Sequence, residues 1–290
     1  MSSSADISAG ERLNPYAARM RMFLGAFVAL TILTIALFFE LAHWNSRSLI
    51  TAFDVGQGDA IMVSHGGYQV LVDGGPDGTV LSALGNSMPF FDRTIDLLVL
   101  SHPHMDHLQS FPELLRRYRV AAVLMTGADY PNSRYEEFLT LLAESNTHII
   151  VADPDETITV GPITVDVLWP PPTSFGMPMN DVNNDSVAMR ITTQNGKSIL
   201  CTGDMEKEEE QAMLQAGINL SADILKVAHH GSRTSSSTGF LLAVRPSLAI
   251  VSVGKNNSYG LPDEDVLARY ATLGIQLRMT MEEGDIKIPL

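Results

Sequence analysis

The 290-residue chain holds eight histidines, and three of them fall within "HPHMDH" at positions 102 to 107. His102, His104, Asp106 and His107 supply imidazole nitrogens and a carboxylate, the donor set preferred by Zn²⁺ and shared by Mn²⁺ and Fe²⁺. His102 and His104 are two apart, so in extended chain they point the same way. Asp106 and His107 open the next element and reach a second point nearby. The spacing thus offers two ligands to each of two adjacent divalent ions. A polar strand-to-helix loop with an aspartate cap would explain one histidine here, but not three.

Two further segments end in the same kind of residue. "SILCTGDME" leads to Asp204, and "DILKVAHHGS" leads to His229 and His230. A single aspartate at a strand end is ordinarily a turn or cap residue. Two adjacent imidazoles after an apolar run need polar partners, and a metal supplies one. Asp204 has two oxygens and can bridge two cations, and His229 can then close one site.

The flanking elements explain how these residues meet. "IDLLVLS" (95–101), directly before the histidine run, is a short run of aliphatics, as a strand buried on both faces requires. Side chains at the C-terminal ends of such strands border an open crevice. From Ser48 onward, short β-rich runs alternate with helical spacings, for example "FPELLRRY", "SRYEEFLTLLAES" and "EKEEEQAMLQAG". No linker or internal repeat interrupts them, which predicts one α/β domain. The Pro-rich run at 169–180 reads as a surface flap. Apolar residues make up 45% of the chain, enough for a sizeable core. The net charge of −14 argues against a broadly basic nucleic-acid surface. The single cysteine, Cys201, excludes an internal disulfide and a multi-cysteine metal cluster.

The N-terminal part reads differently. Phe23 to Leu41 is almost wholly apolar. A helix of that length reaches roughly 28 Å, close to the hydrocarbon thickness of a bilayer. The expected organisation is a cytoplasmic tail (1–22), a transmembrane helix in contact with lipid (23–44) and the main α/β domain (45–290). Arg12, Arg19 and Arg21 precede the span and Arg47 follows it, which predicts a single-pass membrane protein with an extracytoplasmic C-terminal domain.

"HPHMDH", "TGD" and "HHGS", in this order, resemble the metallo-β-lactamase superfamily. With "FDVGQGDA" (53–60), "VLVDGG" (70–75), "NNDSVAMR" (183–190) and "SVGKNNSYG" (252–260), the chain is most similar to the nuclease-like domain of ComEC-type competence proteins, over roughly residues 50–290. The resemblance implies an αββα sandwich with a metal site at one edge. It implies His102, His104, Asp106 and His107 as ligands, Asp204 as the bridge and His229 as a ligand or close neighbour. Asp73 would orient the histidine loop, and His230, Ser232, Thr234 and Ser235 would line the substrate. Asp54, Gly56, Gly58 and Asp59 would shape a turn.

Three departures qualify the resemblance. The superfamily often has a further histidine where this chain reads "NNDS", so Asn184 or Asp185 would substitute. Competence-type domains usually carry a histidine after "YG", where Leu261 stands. One membrane segment does not make a channel. The implied activity is a tethered metal-dependent phosphodiesterase acting on DNA outside the cytoplasm, with single-stranded DNA a candidate substrate. Two divalent ions, Zn or Mn, would serve it, one more weakly held. They would activate a water and neutralise phosphoryl charge. Asp106 and His230 are the expected proton-handling residues, and Arg233 and Lys255 the basic groups near the mouth. The alternatives are a metallo-hydrolase of another ester, lactone or amide, such as a phosphocholine ester, and an inactive binding module.

Overall fold

A computed structural model describes residues 15–45, 47–154, 156–170, 179 and 181–290. The chain divides into two compact units at the junction of Ser46 and Arg47. In the first, α1 (Pro15–Asn45) is one continuous helix whose Arg19–Phe38 stretch is long and apolar enough to cross a membrane. It starts upstream of the expected span because proline suits a first helical turn and "YAARM" contains no helix breaker. Residues 1–14, read as tail, and most of the Pro-rich 169–180 run lie outside the described residues.

The second unit is built on two sheets, each seven-stranded among the described residues. The first contains β1 (Ser48–Ala52), β2 (Ile61–His65), β3 (Tyr68–Val72), β4 (Thr94–Val99), β5 (Arg119–Met125) and β6 (His148–Val151). The second contains β7 (Thr157–Val160), β8 (Ile163–Trp169), β9 (Ala188–Thr192), β10 (Ser198–Cys201), β11 (Ile224–Lys226), β12 (Leu248–Val251) and β13 (Gln276–Met279). The closing strand β14 (Ile286–Pro289) returns to pair antiparallel with β1. In the first sheet β1 to β3 pair antiparallel and β3 to β6 parallel. The second repeats the scheme, antiparallel from β7 to β10 and parallel from β10 to β13.

The inner faces meet in one apolar layer. Ile61, Val63, Leu97 and Val99 of the first sheet belong to the same buried cluster as Val165, Ile191, Ile199 and Ile250 of the second. Outside the first sheet lie α2 (Thr79–Ser87), the short α3 (Met105–Leu108), α4 (Phe111–Arg117) and α5 (Ser133–Glu144). Outside the second lie α6 (Lys207–Gln215), α7 (Thr238–Val244) and α8 (Glu264–Thr272), with the single turn α9 (Thr280–Glu283) after β13. This is the αββα sandwich. Each outer layer has its own core: Phe111 and Phe138 pack edge-to-face at 5.2 Å in one, and Met213, Phe240 and Tyr270 are buried in the other. Truncating Phe111 to alanine would cost about 3–5 kcal/mol. The same α4 follows the histidine loop directly, so packing there steadies the site.

Candidate metal centre

The site residues follow the C-terminal ends of parallel strands in both sheets. β3 leads to Asp73, β4 to His102, β10 to Asp204 and β11 to His229 and His230. After β4 the chain runs extended through His104 and turns into α3, which carries Asp106 and His107. His102 and His107 are buried, and His104 is partly exposed. His102 Nε2 and His104 Nδ1 lie 3.1 Å apart, as two donors aimed at one point would. The "DVGQGDA" turn packs against this loop: the Asp59 amide donates to the Asp106 carbonyl (3.2 Å), and a Cβ at Gly58 would collide with that carbonyl oxygen. Only glycine fits such an approach.

Asp106, His107, Asp204 and His230 form a larger group, with one donor atom from each all within 4.8 Å of one another. Groups behind them fix which imidazole nitrogen faces inward. His107 Nδ1 hydrogen-bonds Asp73 Oδ2 at 2.9 Å, and Asp73 also accepts from the Ser101 amide (2.8 Å) and hydroxyl (2.7 Å). His230 Nδ1 lies 2.9 Å from the Ser252 carbonyl, which only accepts, so that nitrogen carries the proton. His230 Nε2 then faces Asp106 Oδ2 at 3.2 Å and Asp204 Oδ2 at 3.6 Å. Such outer partners orient ligating histidines. The turn that delivers His229 and His230 is left-handed at both (φ 50° and 52°), and Asp73 has φ 62°. Non-glycine residues pay about 1–2 kcal/mol each for this backbone, so packing must hold it.

Electrostatics sort the histidines into two kinds. Burial, reinforced by the neighbouring His107 imidazole, pushes His102 well below the usual histidine range, and burial lowers His104. Both are neutral donors. Burial also works against charge on His107, but the carboxylates of Asp204, Asp73 and Asp106 outweigh it and raise its pKa well above the ordinary value. His230 is raised too, by Asp204 and Asp59 against burial. Asp204, although buried, is held well below the carboxylate range by His230, His107 and His102.

The cluster leaves a demand that a cation would meet. His107 Nε2, Asp204 Oδ1 and Asn183 Oδ1 are buried without a hydrogen-bond partner. Each such atom costs about 1–3 kcal/mol. Asp204 and Asn183 line a cavity of about 320 Å³, together with His104, Asp106, His229, His230, Gln57, Met105, Tyr259 and Leu261. The donors suit a borderline divalent ion, and the His/Asp clusters are consistent with a binuclear metal site. A second grouping, Asp59, Asp73 and His107, lies behind the first and shares His107. There the buried Lys226 ammonium sits 2.6 Å from Asp59 Oδ2. Burial disfavours its charge, but Asp59 and Asp204 outweigh that and raise its pKa.

His230, expected at the substrate and in proton handling, is buried among Asp106, His107 and Asp204. His229, expected as a ligand or close neighbour, is 25% exposed on the cavity wall, its Nε2 4.0 Å from Asp204 Oδ2 and its Nδ1 3.3 Å from Glu206 Oε1. The reason is the left-handed turn, which sends the second histidine inward. Asn184 is turned away from the cavity: its Oδ1 accepts from the Glu206 amide at 2.9 Å and its Nδ2 donates to Asp181. Asp185 is not among the cavity-lining residues, whereas Asn183 is. Ser235 is buried, its hydroxyl donating to the carbonyls of Ala228 and Ser232, so it braces the turn and cannot line a substrate. Ser232 and Thr234 bond each other (3.0 Å), and Thr234 donates to Glu206. Arg233 pairs with Asp263 at 3.1 Å, and neither it nor Lys255 lines this cavity. Asp54 holds its turn as expected, accepting from the Gly56 amide.

Two residues went unnoticed in the sequence. Lys226 is a lone charge in the apolar run "ILKVA", a signal that a buried partner must exist, but nothing local identifies Asp59. Asn183 is indistinguishable from its neighbour Asn184 until the loop is folded.

Comparison with known proteins bears on the family and the fold. Residues 53–255 match the family described as the metallo-beta-lactamase superfamily. ComE operon protein 3 of Bacillus subtilis is 29% identical over 261 residues, covering 84% of this chain and 33% of that protein. Competence protein ComA of Neisseria gonorrhoeae is 29% identical over 257 residues, covering 85% and 33%. The chain therefore spans about a third of the length of these relatives. Among solved structures, the metallo-beta-lactamase fold protein YhfI from Bacillus subtilis superposes with a TM-score of 0.60 at 18% identity, covering 84% of this chain and all of that one.

Proposed function

We propose, from the premise that the chain belongs to the metallo-β-lactamase superfamily, that it is a membrane-tethered, metal-dependent phosphodiesterase acting on DNA outside the cytoplasm. It is a metal-dependent hydrolase of that fold, related to competence proteins; the substrate and the tether are the proposal. The observation that carries it is the group of Asp106 with the buried His107, Asp204 and His230, beside the His102–His104 pair and open to the cavity.

Bound divalent ions would supply an activated water and neutralise charge on phosphoryl oxygens. Asp106, His107, Asp204 and His230 would hold one ion. His102, His104 and Asp204, with the neutral oxygen of Asn183, would hold the other more weakly. Asp106, partly exposed to the cavity, accepts a proton from the attacking group. His229, steadied by Glu206, faces the cavity and protonates the departing oxygen. Tyr259 is 73% exposed on the cavity wall and offers a flat face on which a nucleobase stacks.

The test is metal analysis of the purified full-length protein, followed by hydrolysis of bis(p-nitrophenyl) phosphate and single-stranded DNA with Zn²⁺ or Mn²⁺ restored. Turnover of both, lost with chelator, supports the proposal. Turnover of the generic diester alone moves the substrate elsewhere. A neutral ester, lactone or amide is the second reading, favoured by the lack of Lys and Arg among the described residues lining the cavity. No metal and no turnover would indicate a binding module. The arginine bias around α1 supports a hydrolase unit outside the cytoplasm. Protease added to intact cells should remove that unit, and protection until lysis would reverse the orientation.

A further inference from the structure

The end of the first sheet opposite the metal centre carries an exposed aromatic and basic surface. The strand directions define that end. β3, β4 and β5 run parallel, and the metal centre follows the C-terminal ends of β3 and β4. Their N-terminal ends are therefore on the other side, about 20 Å away for a strand of this length. Ser48, which opens β1, pairs with His65 at the end of β2, so the chain enters the unit at this same end. Only two residues separate Ser48 from the last residue of α1.

The loop before β4 reads Pro89-Phe90-Phe91-Asp92-Arg93. Phe90 is 88% exposed and Phe91 75%, and Tyr68, which opens β3, is 46% exposed. The loop is held against β3, because Gln69 Nε2 donates to Asp92 Oδ2 at 3.1 Å. Its acidic neighbours are turned inward. Asp92 Oδ1 accepts from the Thr94 amide, and Asp96 Oδ2 from the Gln69 amide. Arg93, Arg117 and Arg119 are exposed around the same strand ends, with the Arg119 amide bonded to the Arg93 carbonyl at 2.8 Å. In a chain of net charge −14, bare phenylalanines beside three exposed arginines are an anomaly with one natural counterpart. Apolar side chains enter the boundary between headgroups and acyl chains, while arginines meet anionic headgroups.

We propose that this end of the unit docks on an anionic lipid surface, with Phe90 and Phe91 inserted and Arg93, Arg117 and Arg119 against the headgroups. The proposal rests on the reading of residues 23–44 as a membrane span, with three residues of chain between it and Ser48. Docking in this way holds the opposite end, with the metal centre, open to substrate arriving from solution.

The experiment uses full-length protein in vesicles of phosphatidylcholine and phosphatidylglycerol. Co-sedimentation that survives alkaline carbonate reads the span alone. A Phe91→Cys variant carrying a polarity-sensitive dye reads the loop, since the natural Cys201 is buried and does not compete for label. Leu242→Cys, exposed on α7, is the control. Nitroxide-bearing lipid should quench the Phe91 label at least about threefold more than the control, and less in vesicles lacking phosphatidylglycerol. Equal quenching at both positions in co-sedimenting protein overturns the docking surface and leaves the span standing. Quenching unaffected by anionic lipid overturns the arginine contribution. Protein that does not sediment with vesicles overturns the span and the docking together.

Discussion

The two halves of the candidate metal centre are built to different standards. In the half around His107, both imidazoles have a partner behind them: Asp73 for His107 and the Ser252 carbonyl for His230. Both are buried, and their inward nitrogens have carboxylates within 4 Å. In the half around His102 and His104, His102 has the Ser101 hydroxyl behind it at 3.0 Å, while His104 is partly exposed at the cavity. Asn183, whose buried Oδ1 has no hydrogen-bond partner, lines the same cavity and would add a neutral oxygen to that half. Ligand count alone would make the sites unequal. Outer support makes them more so, because a pre-oriented imidazole loses less freedom when it binds.

Asp204 is the residue the two halves share, so its loss should have the largest effect. Asp204→Ala should cut turnover by more than the ~10–100-fold that loss of an outer partner costs, and empty both sites on elemental analysis. The fold should persist, since the aspartate lies past the end of β10. Full turnover at saturating metal would show that the halves do not share it.

The adjacent histidines should separate next. His230→Ala should lose the tighter ion in a calorimetric titration. His229→Ala should keep both ions and lower turnover by about 10²-fold or more, as for a lost general acid. The reverse pattern would restore His229 to the ligand set.

A third test uses proton competition. His107 has a folded pKa raised above the ordinary 6.5 by Asp204, Asp73 and Asp106, which outweigh burial. Metal must displace the proton so retained, so affinity at the tighter site is low where His107 is protonated and rises as pH climbs through the raised value. Asp73→Asn removes one of those carboxylates. It should weaken the tighter site about 10–100-fold and move the pH window down toward the ordinary histidine range. An unchanged window would detach Asp73 from His107.

The smallest effect is expected at Leu261, which lines the cavity. Leu261→His should tighten the weaker ion only, by about tenfold if its ring reaches it. Tightening of the stronger ion would put the vacancy in the other half.

Much of this was legible before folding. "HPHMDH" after an unbroken aliphatic strand gave both the ligand types and their position at a strand end, because strand period and ligand chemistry are local properties. The apolar run of α1 was legible for the same reason. The choice of a two-sheet sandwich over one doubly wound sheet was not contained in the alternation of elements. It depends on β7 to β13 pairing among themselves and on the inner faces of both sheets sharing one core, which are long-range facts. The choice between His229 and His230 was also beyond the sequence. Two adjacent imidazoles are equivalent as letters, and only a left-handed turn bonded to the Ser252 carbonyl, 22 residues on, aims one inward. Asp59 and Lys226 are separated by most of the unit, and no periodicity relates them. Tertiary packing decided that pair, because a buried ammonium must find its carboxylate wherever the chain brings one.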